Sequence, residues 1–296
     1  MRSGLIGGHV MSEPLLLVDS NHLCYYHSFR NMHFSYGEKP VGVIFGFLTS
    51  VLSLAKMFGT NRFAFAWDSR QSLRKAFYPE YKEHRREKTV VELKTMFPQF
   101  VDLRRKVLPK FGFKNIFHQV GYEADDIIGS ICKRNRNEEI VIISSDNDLY
   151  QLLDKDHSMY SIQSKKKYSS SDFIKEWGFE PSRWAGVKTV AGCSSDNVKG
   201  VEGVGNKKAV QYLLGKMSDK SQVKAKIEKE GREGLFVKND RLVRLPFEGT
   251  QECVLQEDEF FLSDFFDLCD KYGFNSFLAQ ELVWRECFDM KEERRE

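Results

Sequence analysis

Leu15-Leu16-Leu17-Val18 is a continuous apolar run that stops at Asp19-Ser20-Asn21, as expected of a strand buried on both faces with a turn at its carboxyl end. Two helical stretches follow, at about 21–30 and 41–58. The second is the most apolar window of the chain, but Thr49, Ser50, Ser53 and Lys56 interrupt it. A buried helix is expected there and no membrane span. Phe63-Ala64-Phe65-Ala66-Trp67 is again strand-like and again ends in an acid, Asp68. The pattern returns at Ile140-Val141-Ile142-Ile143, followed by Asp146 and Asp148, after a helical segment carrying Ile127, Ile128 and Ile131. Strand, acid and helix in repeated succession predict an α/β fold with a mainly parallel central sheet flanked by helices. Its ligand groups would lie outside the carboxyl ends of the strands.

Glu123-Ala124-Asp125-Asp126 and Asp146-Asn147-Asp148 crowd further acids into two short clusters at the edges of apolar segments. Carboxylates so placed repel one another unless a cation neutralises them. A solvated acidic surface explains most single doublets. The repeated position after a strand argues instead for a ligand site.

With 296 residues the chain is long enough for one large domain or two modest ones. Its net charge of +3 conceals 45 basic and 42 acidic residues, so the placement of the signs matters more than their sum. Ser69 to Lys88 contains Arg70, Arg74, Lys75, Lys82, Arg85, Arg86 and Lys88, with Phe77, Tyr78 and Tyr81 interleaved. Arg104-Arg105-Lys106, Lys110 and Lys114 add a second basic group. Cations alternating with aromatics point to a nucleic-acid surface, where charges meet phosphates and rings stack on unpaired bases. Six cysteines without a C-x-x-C pair favour reduced thiols in a cytosol. The first ten residues hold no secretory signal. Residues 1–11 are expected as a flexible extension and 291–296 as a frayed tail, in a soluble, cytoplasmic protein.

Val198-Lys199-Gly200-Val201-Glu202-Gly203-Val204-Gly205-Asn206-Lys207-Lys208 holds three glycines in six positions. Such a stretch permits a tight hairpin whose N–H groups approach a phosphate, with a helix beginning near Lys207. It resembles a helix–hairpin–helix, a sequence-independent clamp on the DNA backbone. Beyond residue 217 the pattern is helical, with an extended piece expected near Leu235–Leu245 and no evident chemistry.

From Leu15 to Leu214 the ordered motifs resemble the 5′-nucleases, the family of flap endonucleases, phage 5′-3′ exonucleases and the nuclease domain of bacterial DNA polymerase I. They are Val18-Asp19, Trp67-Asp68, Tyr81-Lys82 with Arg85, Glu123-Ala124-Asp125-Asp126, Asp146 and Asp148 leading into Leu149-Tyr150-Gln151-Leu152-Leu153, and Ser195-Asp196-Asn197 before the glycine hairpin. The resemblance implies a PIN-like or resolvase-like core over residues 12–185, a helical arch at about 69–115, and a helical region over 186–290 with the hairpin motif at about 198–214. It implies a first divalent-metal site at Asp19, Asp68, Glu123, Asp125 and Asp126, and a second at Asp146, Asp148 and Asp196. Hard carboxylates agree with Mg²⁺, with Mn²⁺ as a substitute, over zinc. Asp68 and Asp125 would act with Lys82 and Arg85 at the scissile phosphate. Arg70, Arg74 and Lys75 would contact DNA, with Tyr81 and Tyr25 stacking on the terminal base. Gly200, Gly203, Gly205, Lys207 and Lys208 would hold the duplex, with K⁺ at the hairpin. The expected partner is DNA with 5′ flaps or ends, bound by a monomer in replication or repair.

Two positions depart from the pattern. Cys193 follows Gly192 where the family usually has aspartate, and a mostly protonated thiol is a poor Mg²⁺ ligand. Tyr26 stands where relatives often carry arginine. Two alternatives accompany the nuclease reading: a catalytically weakened DNA-junction binding protein, and a related metal-dependent ribonuclease.

Overall fold

The computed structural model describes residues 13–31 and 33–292. The expected extension over residues 1–11 and the last four residues of the expected tail lie outside these. Lys291, at the start of that tail, is tied down: its N–H donates to the Phe260 carbonyl at 2.9 Å and its own carbonyl accepts from Leu262 N–H at 2.9 Å.

Six strands form the main sheet, in the order 116–118, 63–67, 15–19, 140–143, 157–161, 166–168. The first five run parallel and the last is antiparallel. Leu15–Asp19 is central, with Asp19 beside Ala66 and Val18 beside Ile143. The parallel register therefore brings the strand-end acids to one edge of the sheet.

Because side chains alternate across a strand, the apolar runs divide between two cores. Leu16, Val18, Phe63, Phe65, Val141 and Ile143 face one side, with the helices Ser20–Asn31 and Gly42–Phe58. Leu15, Leu17, Ala64, Ala66, Ile140 and Ile142 face the other, against Ile127, Ile128 and Ile131 of Ala124–Arg134 and Trp184, Val187 and Val190 of Trp184–Ala191. Burial on both faces explains why these strands read as continuous apolar runs.

Two expectations need correcting. The piece near Leu235–Leu245 is mainly a helix, Leu235–Val243, that begins after Gly234 in the left-handed region and buries Asn239, Leu242 and Val243. The spacing of those three residues is helical, not extended. The division at residue 185 also does not follow the packing. Phe260, Phe265, Trp284 and Phe288 belong to the same core as Phe63, Phe65 and Phe113, so the last helices cover the back of the sheet.

Candidate metal centre and nucleic-acid interface

Three of the acids stand where strands end. Asp19 closes Leu15–Asp19, Asp68 follows Phe63–Trp67, and Asp146 follows Ile140–Ile143 by three residues. The helix Ala124–Arg134 brings its first turn to the same edge. Ala124 N–H donates to the Asp68 carboxylate at 2.8 Å, so helix start and strand end are joined directly.

Asp19 is buried; its carboxylate accepts from His22 N–H at 3.0 Å and from the Ser144 hydroxyl at 3.1 Å. Burial, reinforced by Asp146, raises its pKa to about 6. Asp68 is exposed at its strand end, yet the protein packed around it displaces enough water, with the charges of Asp19 and Glu123, to raise it likewise to about 6. Asp125 is pushed well above the ordinary carboxylate range, first by burial and then by Asp146 and Asp19. Asp146, exposed at the rim, is raised by the water displaced around it and by Asp148. Four acids that resist losing their protons side by side are the electrostatic mark of a cation site. Oxygen donors of this kind fit a hard divalent cation.

Glu123 behaves differently. Burial would raise its pKa, but Lys82 and Arg74 outweigh that and hold it below the ordinary value. Lys82 Nζ donates to Glu123 at 2.7 Å and lies 3.6 Å from Asp196, while Arg85 donates to Asp196 at 2.9 Å. Lys82 has φ +55, a left-handed conformation rarely adopted outside glycine. Its N–H donates to the Asp196 carbonyl at 2.9 Å, which fixes that bend against the site. The cations expected at a scissile phosphate thus adjoin the carboxylates expected at a metal.

Three assignments are overturned by burial and bonding. Asp126 is fully buried, and its two oxygens accept the Arg74 guanidinium at 2.6 and 2.7 Å, together with Phe247 N–H at 2.8 Å and Glu123 N–H at 3.1 Å. No lone pair is left facing a metal. Arg74, 3% exposed, is spent on that pair and on the Leu242 carbonyl, so it cannot meet a phosphate. Tyr81, 2% exposed, sets its hydroxyl 2.9 Å from both Glu123 and Asp196; it bridges the acids and cannot stack on a base.

The other expected contacts divide. Arg70, Lys75 and Lys207 are exposed. Tyr25 is half-buried against Phe97 and Phe100, and its hydroxyl accepts from Lys88 Nζ at 2.8 Å. Lys208 donates to the Gly203 carbonyl at 2.8 Å, bracing the hairpin from within. Gly200 is demanded by the fold, since a Cβ there would lie 2.2 Å from the Ala191 carbonyl oxygen. Gly203, at φ +77, and Gly205 have open space where a Cβ would stand.

The hairpin ribbon pairs Gly192-Cys193 with Val198-Lys199 and carries Cys193 to the site. Donor atoms of Asp148, Cys193 and Asp196 lie within 4.8 Å of one another, a spacing that could hold a metal ion. Cys193 donates to Asp148 at 3.1 Å, and burial with the neighbouring charge of Asp148 pushes its thiol up to about 12. Lys188, which sequence reading missed, pairs with Asp148 at 2.7 Å. Its one signal was a lysine within the otherwise apolar Trp184–Ala191 helix.

A family model described as "5′-3′ exonuclease, N-terminal resolvase-like domain" matches residues 14–178. A 5′-3′ exonuclease of Bacillus subtilis (strain 168) is 31% identical over 213 residues, covering 68% of this chain and 70% of that protein. The thermostable DNA polymerase I of Thermus aquaticus is 31% identical over 204 residues, 67% of this chain but 23% of the polymerase. Among solved structures, the T5 5′-exonuclease with bound divalent metal ions (zinc) superposes with a TM-score of 0.64 at 24% identity, covering 79% of this chain and 90% of that one. Flap endonuclease-1 from Methanococcus jannaschii superposes at 0.59 and 12% identity, over 94% of each chain. These two likenesses concern the fold. By the family match over residues 14–178, the chain belongs to the 5′-3′ exonuclease family.

Proposed function

We propose that this protein is a divalent-metal-dependent, structure-specific 5′-nuclease that hydrolyses DNA phosphodiesters, as a 5′-3′ exonuclease and a 5′-flap endonuclease. The observation that carries the reading is the reach of Lys82 and Arg85 onto Glu123 and Asp196. It sets the grip on a phosphate against the carboxylates that would hold the metal. Asp19, Asp68, Asp125 and Asp146, with Glu123 beside them, would hold Mg²⁺ or Mn²⁺, which when bound activates a water for attack on phosphorus.

The chain's own groups supply the rest. Lys82 and Arg85 transfer from the carboxylates to the phosphate and stabilise charge in the transition state. Tyr81 keeps Glu123 and Asp196 in register, and the Asp126–Arg74 pair fixes the helix that presents Asp125. Exposed Arg70 and Lys75 lie on the path of the unpaired strand, within an arch spanning about 69–115. The hairpin from Gly200 to Gly205 grips the downstream duplex through backbone N–H groups, with K⁺ held by its carbonyls. Among the described residues no helix is long and apolar enough to cross a membrane. A monomer acting on DNA in the cytoplasm, in replication or repair, accords with this reading.

The deciding experiment incubates purified protein with a 5′-labelled flap, a nicked duplex and a blunt duplex, with and without Mg²⁺. Short products released from the flap only with Mg²⁺ are expected. Binding of all three without turnover in Mg²⁺ or Mn²⁺ would replace this reading by that of a DNA-junction binding protein, which the thiol at Cys193 keeps in contention. Preferential cutting of an RNA flap would favour the ribonuclease alternative.

A further inference from the structure

Asp148 has two carboxylate oxygens, one in an ion pair that lacks hydrogen-bond alignment and one in a hydrogen bond. One lies 2.7 Å from Lys188 Nζ, and the other accepts the Cys193 thiol at 3.1 Å. The sulfur is also 3.0 Å from the Ser195 hydroxyl. Lys188 is no loose surface cation. It is 8% exposed, and its Nζ lies 5.5 Å from the centre of the Trp184 ring, itself buried. The third member, Asp196, is held by Tyr81 at 2.9 Å and Arg85 at 2.9 Å. Each carboxylate of the group Asp148, Cys193 and Asp196 therefore already faces a protein cation, Lys188 for Asp148 and Arg85 for Asp196.

We propose that the second positive charge of this centre is the Lys188 ammonium, and that the chain binds one divalent cation, on the Asp19, Asp68, Asp125 and Asp146 side. The proposal rests on the nuclease reading and departs from the two-ion arrangement that the resemblance implies. To take a second hard cation through Asp148, the chain would have to break a largely enclosed ion pair, whose loss leaves a buried charge uncompensated. It would also have to accept a neutral sulfur where Mg²⁺ requires oxygen. An ammonium fixed beside Asp148 needs neither change. It neutralises Asp148 and pins it in place, which makes Lys188 a positioning residue.

Counting ions tests this without requiring cleavage. Titration of the metal-free protein with Mn²⁺, followed by electron paramagnetic resonance and calorimetry, should give one ion per chain for the natural sequence and for Lys188→Arg. The double variant Lys188→Met/Cys193→Asp, which restores oxygen donors and removes the ammonium, should bind two. Two ions on the natural chain with dissociation constants within about tenfold of each other would overturn the proposal. So would a thiolate-to-metal absorption band on adding Cd²⁺ that Cys193→Ala abolishes, because the sulfur would then be a ligand. The count on the natural chain depends on no variant folding. A protein that binds one Mn²⁺ yet never cuts DNA would sink the nuclease reading and leave this proposal standing; one that cuts with two ions would do the reverse.

Discussion

Arg74 and Asp126 meet through two parallel hydrogen bonds of 2.6 and 2.7 Å, with the arginine 3% exposed and the aspartate not at all. Residues that look from the sequence like a DNA contact and a metal ligand are each other's partners. Removing one strands the other. Arg74→Ala is expected to lower stability by about 3–5 kcal/mol, the cost of an unpaired buried carboxylate. Arg74→Lys should recover only part, because a lysine cannot make the forked pair. Denaturant unfolding of the metal-free protein measures both.

Asp125 sits among Asp19 and Asp146 with burial opposing its charge. Asp125→Asn should abolish Mg²⁺-dependent flap cleavage while leaving flap binding within about threefold, since the uncharged amide relieves repulsion and removes a donor for the cation. The same variant should melt at a higher temperature than the natural protein in chelator at pH 8. Full cleavage by the variant would refute the assigned role.

Desolvation and neighbouring acids raise Asp19 and Asp68 to about 6, above the ordinary carboxylate value. Between about pH 4 and 6 the folded chain keeps protons that the unfolded chain has released, so these groups make stability fall as pH rises through that window. Metal binding displaces the same protons. Melting in chelator should therefore show a loss on going from pH 5 to 7.5 that Mg²⁺ reverses, and Mn²⁺ affinity should climb over the same interval.

The Tyr81 hydroxyl holds Glu123 and Asp196 in one geometry. Tyr81→Phe keeps the buried ring and deletes the bridge, a change of about 1–2 kcal/mol. If that loss falls on the transition state, cleavage slows by roughly tenfold. Steady-state kinetics should place the effect in kcat more than in KM; a base-stacking role would instead raise KM.

Gly200→Ala drives a methyl to 2.2 Å from the Ala191 carbonyl oxygen, whereas Gly205→Ala meets open space. The first should distort the hairpin and weaken duplex binding at least tenfold, and the second should fold normally. Gel-shift titration with blunt duplex compares them.

The strand-end acids were legible because continuous apolar runs and the residues that stop them carry both the element and its exit point. Asp19, Asp68 and Asp146 sit at the edge that this pattern implied. What periodicity could not tell was which side of a short helix each neighbour occupies. In Leu73–Phe77, Arg74 turns inward while Lys75 stays in solvent, although the two are adjacent and both basic. Tyr81 and Asp126 were misread because the partners that bury them are remote in sequence: Glu123 and Asp196 lie 42 and 115 residues from Tyr81, and Arg74 and Phe247 lie 52 and 121 residues from Asp126. Lys188 went unnoticed because a lysine in an apolar helix has no significance until its carboxylate partner is placed.

The helices after residue 260 wall off one face of the sheet through Phe260, Phe265, Trp284 and Phe288, well beyond the stretch 14–178 that the family model matches. Cutting the chain at residue 215 to isolate the nuclease motifs would open Phe63, Phe65 and Phe113 to water and produce a fragment prone to self-association rather than a smaller enzyme. The tail can change its surface freely, but its inward aromatics are tied to the same strands that present the acids. Through them the C-terminal region bears on the strand-end acids by packing alone.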